Sequence, residues 1–139
     1  MTVEIRRLRR DDKALLNRVA ADVFDAPIDP ARLSAYLAEP GHLMIVALRD
    51  GEVVGQVAAV IHRHPDKPTE LYIDEVGVTP ALHRQGIARR MLDAMFALGK
   101  ELGCEEAWVG TEPDNVPARR LYESRSARAE TFAMYVYKL

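Results

Sequence analysis

The stretch "VGVTPALHRQGIARRML" (76–92) decides the fold, because the spacing of its apolar residues changes partway along. Up to Val78 it completes "TELYIDEVGV" (69–78), whose alternation predicts a strand. From Gly86 the period becomes helical, with Ile87, Met91, Leu92, Met95, Leu98 and Leu102 on one face and Gly103 as a C-cap. The first amides of a helix have no partner within it and, with the positive end of the dipole, favour an anion. Gly86 removes a side chain where a phosphate must come close, and Arg84 and Arg89 supply forked donors suited to it. A tight turn with solvated charges accounts for the same residues without a ligand. Neither G-x-G-x-x-G nor G-x-x-x-x-G-K-S/T occurs, which argues against Rossmann and P-loop nucleotide binding.

Outward from this turn, the apolar set of 69–78 changes parity from Leu71 and Ile73 to Val76 and Val78, so a bulge is expected at Asp74-Glu75. "LMIVALRDGEVVGQVAAVIHR" (43–63) predicts two strands around an Asp50-Gly51 turn. "VEIRRL" (3–8) and "EEAWVGT" (105–111) read as strands, and "AETFAMYVYKL" (129–139) as a final one. Asp11 and Asp12 stand where a helix would start, with Leu15, Leu16, Val19, Ala20 and Val23 at helical spacing after them. A second helix comes after "DAPIDP" (25–30), and a short one covers "NVPARRLYES" (115–124). The order β-α-α-β-β-β-α-β-α-β implies a mixed α/β sheet.

With 139 residues, 48% of them hydrophobic, the chain fits one domain spanning 1–139. A net charge of −2 offers no basic excess for nucleic acid or an anionic membrane surface. No apolar run approaches the roughly 20 residues that cross a bilayer. Cys104 is the single cysteine, which excludes a disulfide framework and a Cys-based metal site. The segment "MTVEIRRLRRDD" has no apolar signal core, so a cytoplasmic protein is expected. His62 and His64 form H-x-H, which can be a metal pair on a strand, but no third ligand is evident in the sequence and no metal is assigned. Glu52, Glu70 and Glu101 read as surface charges, and Cys104 as a buried structural thiol.

Residues 76–92 resemble the acetyl-CoA-binding segment of the GNAT N-acetyltransferases, which carry Q/R-x-x-G-x-G/A after a strand ending V-x-P. Gly86 takes the glycine and Ala88 the small residue, while His83 departs from the usual Arg or Gln. "EPDNVPARRLYES" (112–124) resembles the family's N-x-x-A-x-x-L-Y-E, with Asn115, Ala118, Leu121, Tyr122 and Glu123 in place. The family continues with a Gly-Phe turn, and here "SRSAR" (124–128) stands instead.

The resemblance implies a mixed, mostly antiparallel sheet splayed at the cofactor site, with helices on both faces. It implies acetyl-CoA as cosubstrate, held by backbone groups of Val76, Gly77 and Val78 and by His83, Arg84, Gln85, Gly86, Ile87, Ala88 and Arg89, with Asn115 as a further contact. Tyr122 matches the tyrosine that protonates the leaving thiolate, and Glu75 stands where many members carry an acidic base. Segment 69–88 is most similar to the small aminoglycoside 3-N-acetyltransferases, while "GTEPDN" (110–115) is similar to some 6'-N enzymes. A polycationic acceptor needs carboxylates, and Asp22, Asp25, Asp29, Asp74, Glu75, Glu112 and Asp114 are candidates. The other readings are another amine (a polyamine, a small amino compound or a protein N-terminus) and a non-catalytic acyl-CoA-binding module. A homodimer is expected by resemblance.

Overall fold

The computed structural model describes residues 2–139. Five strands, β1 (Glu4–Arg7), β2 (His42–Arg49), β3 (Glu52–His62), β4 (Glu70–Val78) and β5 (Glu106–Val109), form one sheet in chain order. Neighbours are antiparallel except β5, which joins β4 in parallel after a crossover through a helix. That helix is α2 (Ile87–Glu101); α1 (Pro30–Ala38) precedes the sheet's central strands and α3 (Val116–Glu123) comes after β5. Arg49 pairs with Glu52, so Asp50-Gly51 is the two-residue turn that the sequence predicts.

The sheet is covered on both faces. Leu43, Ile45 and Ala47 of β2 pack with Met91, Leu92 and Met95 of α2. The alternate residues Met44, Val46 and Leu48 pack with Leu16, Val23 and, from α1, Leu33, Tyr36 and Leu37. A strand buried on both faces needs no polar alternation, which explains the unbroken "LMIVAL" (43–48).

Two irregularities of β4 position the site. Glu75 pairs with Ala58 and Ile73 with Ala59, which leaves Asp74 as an extra residue. This bulge keeps Leu71, Ile73, Val76 and Val78 in the core on the α2 side despite their change of parity. Glu75 then shares a face with its partner Ala58, which packs in the cluster beside α1. Second, β5 pairs only with Glu70–Ile73, so Asp74–Val78 lack a strand neighbour on that side and the sheet opens there.

The structure departs from the sequence reading in two places. The segment after Asp11-Asp12 is a 3₁₀ helix, Arg10–Asn17, that stops well short of Val23. Its start is closed by the Arg9 amide donating to Asp12 Oδ2 at 2.9 Å. It ends because the Val53 amide donates to Arg18 O and the Ala20 amide to Val53 O, drawing residues 18–20 along β3. The predicted strand over 129–139 is also absent: no regular structure forms there, and Phe132, Met134, Tyr135, Val136 and Tyr137 are exposed. Ser126, just before that segment, adopts a left-handed backbone conformation (φ 64°). Phe132 meets Trp108 of β5 edge-on, with centroids 6.4 Å apart, a side-chain contact without a ladder. Among the described residues, no helix is long and apolar enough to cross a membrane.

Candidate active site

The turn from β4 to α2 has the form of an anion seat. Gly86 caps α2 with φ 77°, and a Cβ built on it would meet nothing within 4 Å. Conformation therefore selects the glycine, and the space beside it is open to a ligand. The Arg90 amide makes the first helical bond, to Gly86 O at 3.0 Å, which leaves the amides of Ile87, Ala88 and Arg89 at the helix start. His83, Arg84, Gln85 and Arg89 are exposed, whereas the Ile87 side chain is buried in the core, so only its backbone is available. His83 lies with Nε2 2.8 Å from the Val78 carbonyl oxygen. A carbonyl only accepts, so Nε2 carries the proton and the ring braces the turn against the end of β4. An arginine at this position would offer charge; this histidine offers a brace.

On the opposite side of β4, Gly77 and Gln56 grip one carbonyl. Gln56 is fully buried, and its Nε2 donates to Val23 O at 3.3 Å. A Cβ on Gly77 would clash with the same oxygen, so only glycine lets residues 18–25 lie directly on the strand. Two residues beyond Val23 is Asp25, which borders a hollow of about 250 Å³ lined also by Val19, Ala20, Phe24 and Ile28. A larger open hollow of about 640 Å³, between Leu71, Phe96, Cys104 and Ala107, holds none of the predicted site residues.

Three of the predicted acids come together. The carboxyl of Glu75 is pushed above the ordinary range, first by burial and then by the charges of Asp25 and Asp74, while the Gln56 amide draws it partly back. Beneath them, Tyr36 of α1 donates to Leu43 O at 2.9 Å. Burial, Asp74 and Glu75 together hold its phenol firmly protonated. The other predicted acids are placed differently. Asp29 caps α1, its Oδ1 accepting from the amides of Ala31 and Arg32 at 2.9 and 3.0 Å. Asp22 sits in a turn with φ 61°. Glu112 and Asp114 lie on the exposed loop after β5. Asn115 caps α3 through Oδ1, which accepts from the Ala118 amide at 3.2 Å. Tyr122, half-buried against the α2-side core, has its phenol raised by burial and so remains a proton donor at neutral pH.

Gln56 and Tyr36 are the site residues that sequence reasoning missed. Gln56 had a visible signal, a lone amide inside the apolar run "VVGQVAAVI" (53–61).

The chain belongs to the acetyltransferase (GNAT) family, whose model matches residues 4–126. It is 29% identical over 102 residues to an uncharacterized N-acetyltransferase of Mycobacterium tuberculosis, covering 73% of this chain and 63% of that one. It is 31% identical over 126 residues to the N-alpha-acetyltransferase RimI of the same species, covering 88% and 76%. With the aminoglycoside N(6')-acetyltransferase type 1 of Salmonella typhimurium it shares 25% over 84 residues, 57% of each chain. Among solved structures, an aminoglycoside acetyltransferase from an uncultured soil metagenomic sample superposes with a TM-score of 0.84 at 22% identity, covering 100% of both chains. A second enzyme of that description, in complex with sisomicin, gives 0.79 at 22% identity, covering 99% and 95%. At such identities the structural likeness is one of fold: a five-stranded, mostly antiparallel open sheet with helices. The chain spans 63% of the length of the first relative, the uncharacterized N-acetyltransferase.

Proposed function

We propose that the chain is an acetyl-CoA-dependent N-acetyltransferase acting on a primary amine of an aminoglycoside, at the 3-amino position. The observation that carries this reading is the setting of Glu75. It stands at the bulge where the sheet opens, its proton affinity raised, with Asp25 and Asp74 beside it. A carboxylate of raised pKa takes a proton from an ammonium group more readily, and the two flanking acids balance the other ammonium groups of a polycation.

Acetyl-CoA fits the opposite edge as cosubstrate. The unpaired stretch at Val76, Gly77 and Val78 accommodates an extended pantetheine arm, and the turn at 83–89 its diphosphate, with Asn115 alongside. An amide from Val78 aimed at the thioester oxygen would be worth about 3–4 kcal/mol to the tetrahedral oxyanion. The substrate amine gives its proton to Glu75, directly or through a water. Its nitrogen bonds the acetyl carbon and sheds its second proton as the carbon–sulfur bond breaks; the departing thiolate takes the Tyr122 phenol proton, and the proton shed by nitrogen restores the phenol through solvent. Unperturbed phenol and thiol pKa values lie within about two units, and burial of Tyr122 widens that gap, so this last transfer runs uphill and is drawn forward by loss of the product.

The 3-amino assignment rests on the likeness of segment 69–88. A second reading, acetylation at the 6'-amine, is favoured by the name of the Salmonella relative, and a third, a protein N-terminus, by that of RimI. Structure determination by NMR of the product formed from sisomicin tests the assignment: an acetyl group on the 3-amine supports it, and one on the 6'-amine replaces it with the second reading. No product from sisomicin, with an acetylated peptide N-terminus instead, supports the third.

A homodimer belongs to this proposal. Segment 129–139 carries an exposed apolar run, Phe132–Tyr137, yet forms no strand pairing among the described residues, and β5, an edge strand, pairs only with β4. Unpaired edges and exposed apolar strands associate readily, and a second copy supplies both halves of the match. Analytical ultracentrifugation of the full chain is expected to give a dimer, and a chain truncated after Arg128 a monomer; a monomeric full chain would remove the claim. A cytoplasmic location is likewise proposed, on the single free cysteine.

A further inference from the structure

We propose that His62, His64 and Glu70 form a binding site for a divalent metal ion of the zinc type. His62 ends β3 and Glu70 begins β4, and the two are partners in the strand register. The loop between them returns His64 to the same place. Glu70 Oε1 lies 2.6 Å from His64 Nε2 and 3.7 Å from His62 Nδ1. The imidazole centroids are 4.1 Å apart, tilted by 40°. All three donor atoms fall within 4.8 Å of one another.

The separations decide between a hydrogen-bonded cluster and a ligand set. Donors bound tetrahedrally at about 2.0–2.1 Å stand roughly 3.4 Å apart. The two histidine–Glu70 separations, 2.6 and 3.7 Å, straddle that value, and the donors all lie within 4.8 Å, so side-chain rotation that draws the two imidazole nitrogens together completes the set. Two imidazoles and one carboxylate select zinc and its neighbours over magnesium or calcium, which prefer all-oxygen sets. The His64 side chain is 13% exposed and Glu70 24%, while His62 at 59% leaves the remaining coordination position toward solvent. In the metal-free protein the His64 Nε2 proton bridges to Glu70; bound metal replaces that proton, which passes to solvent. The cluster is five residues along β4 from Glu75, roughly 16 Å at ~3.3 Å per residue. It would therefore clip the β3–β4 hairpin together at a distance from the acceptor site.

Tag-free protein, stripped with EDTA and titrated calorimetrically with zinc chloride, is expected to bind one ion per chain and to melt higher when loaded. Magnesium chloride is expected to do neither. His62→Ala and Glu70→Gln should each weaken zinc binding about tenfold or more. Glu70→Gln preserves an acceptor for His64, so its melting temperature in EDTA reports that the fold is intact. Absence of saturable zinc binding, or binding unchanged in both variants, would overturn the site.

Discussion

Gln56 and Gly77 are partners across β3 and β4, and between them they hold the Val23 carbonyl. The glycine makes room for the segment and the amide fastens it. Residues 18–25, which carry Asp25, are thereby pressed onto the strand that carries Glu75. The same amide lowers the proton affinity that burial and two neighbouring acids raise.

Replacing Gln56 with Met keeps the volume but removes the amide. Glu75 should then hold its proton to higher pH, and the acidic limb of kcat/KM should move upward. A pH–rate profile checks this, and an unmoved limb would show that Gln56 is only packing.

Glu75→Gln should lower kcat/KM by about 10²–10⁴, the range for loss of a general base. Its stability effect has the opposite sign. The folded-state pKa is raised, so the stability associated with the protonated carboxyl is full below the unfolded value of about 4.3 and is lost as pH rises through the folded value. The glutamine variant escapes that loss. It should melt above the parent at pH 8, with the gap closing toward pH 4 in a series of thermal melts.

Tyr122→Phe retains the ring in its half-buried setting and removes the proton. Turnover should fall about 10²-fold or more while the Kd for acetyl-CoA changes little. Equal loss in both, by stopped-flow and calorimetry, would leave Tyr122 a packing residue.

Ser126 adopts φ 64° where glycine carries no penalty. Ser126→Gly should stabilise the chain by about 1 kcal/mol, or about 3 °C in Tm for a domain of this size. Differential scanning calorimetry measures it directly.

The features legible in the sequence were local. The Asp50-Gly51 turn, the α2 stripe and the bulge at Asp74 each arise from residues within one or two turns of chain. The change of parity at Val76 marks the bulge that the strand register shows at Asp74. The features that stayed hidden depend on partners far away. Gln56 meets Val23 across 33 positions, and Glu70 becomes a third donor only when strand register sets it opposite His62. The first helix is cut short because Val53 captures residues 18–20, a contact no helical period encodes. Segment 129–139 has the apolar and aromatic content of a strand, but composition does not supply a neighbour. Asp29 was equally hard to place from sequence, since the same acid also caps α1 through Oδ1.

The most direct test of the central claim is release of free coenzyme A, detected with a thiol reagent, when the protein is mixed with acetyl-CoA and one amine at a time. Gentamicin or sisomicin is expected to give rapid release, with spermidine and a peptide N-terminus slow, and Glu75→Gln is expected to abolish the signal. Release with spermidine or the peptide alone, or none with any amine despite tight acetyl-CoA binding, would contradict it.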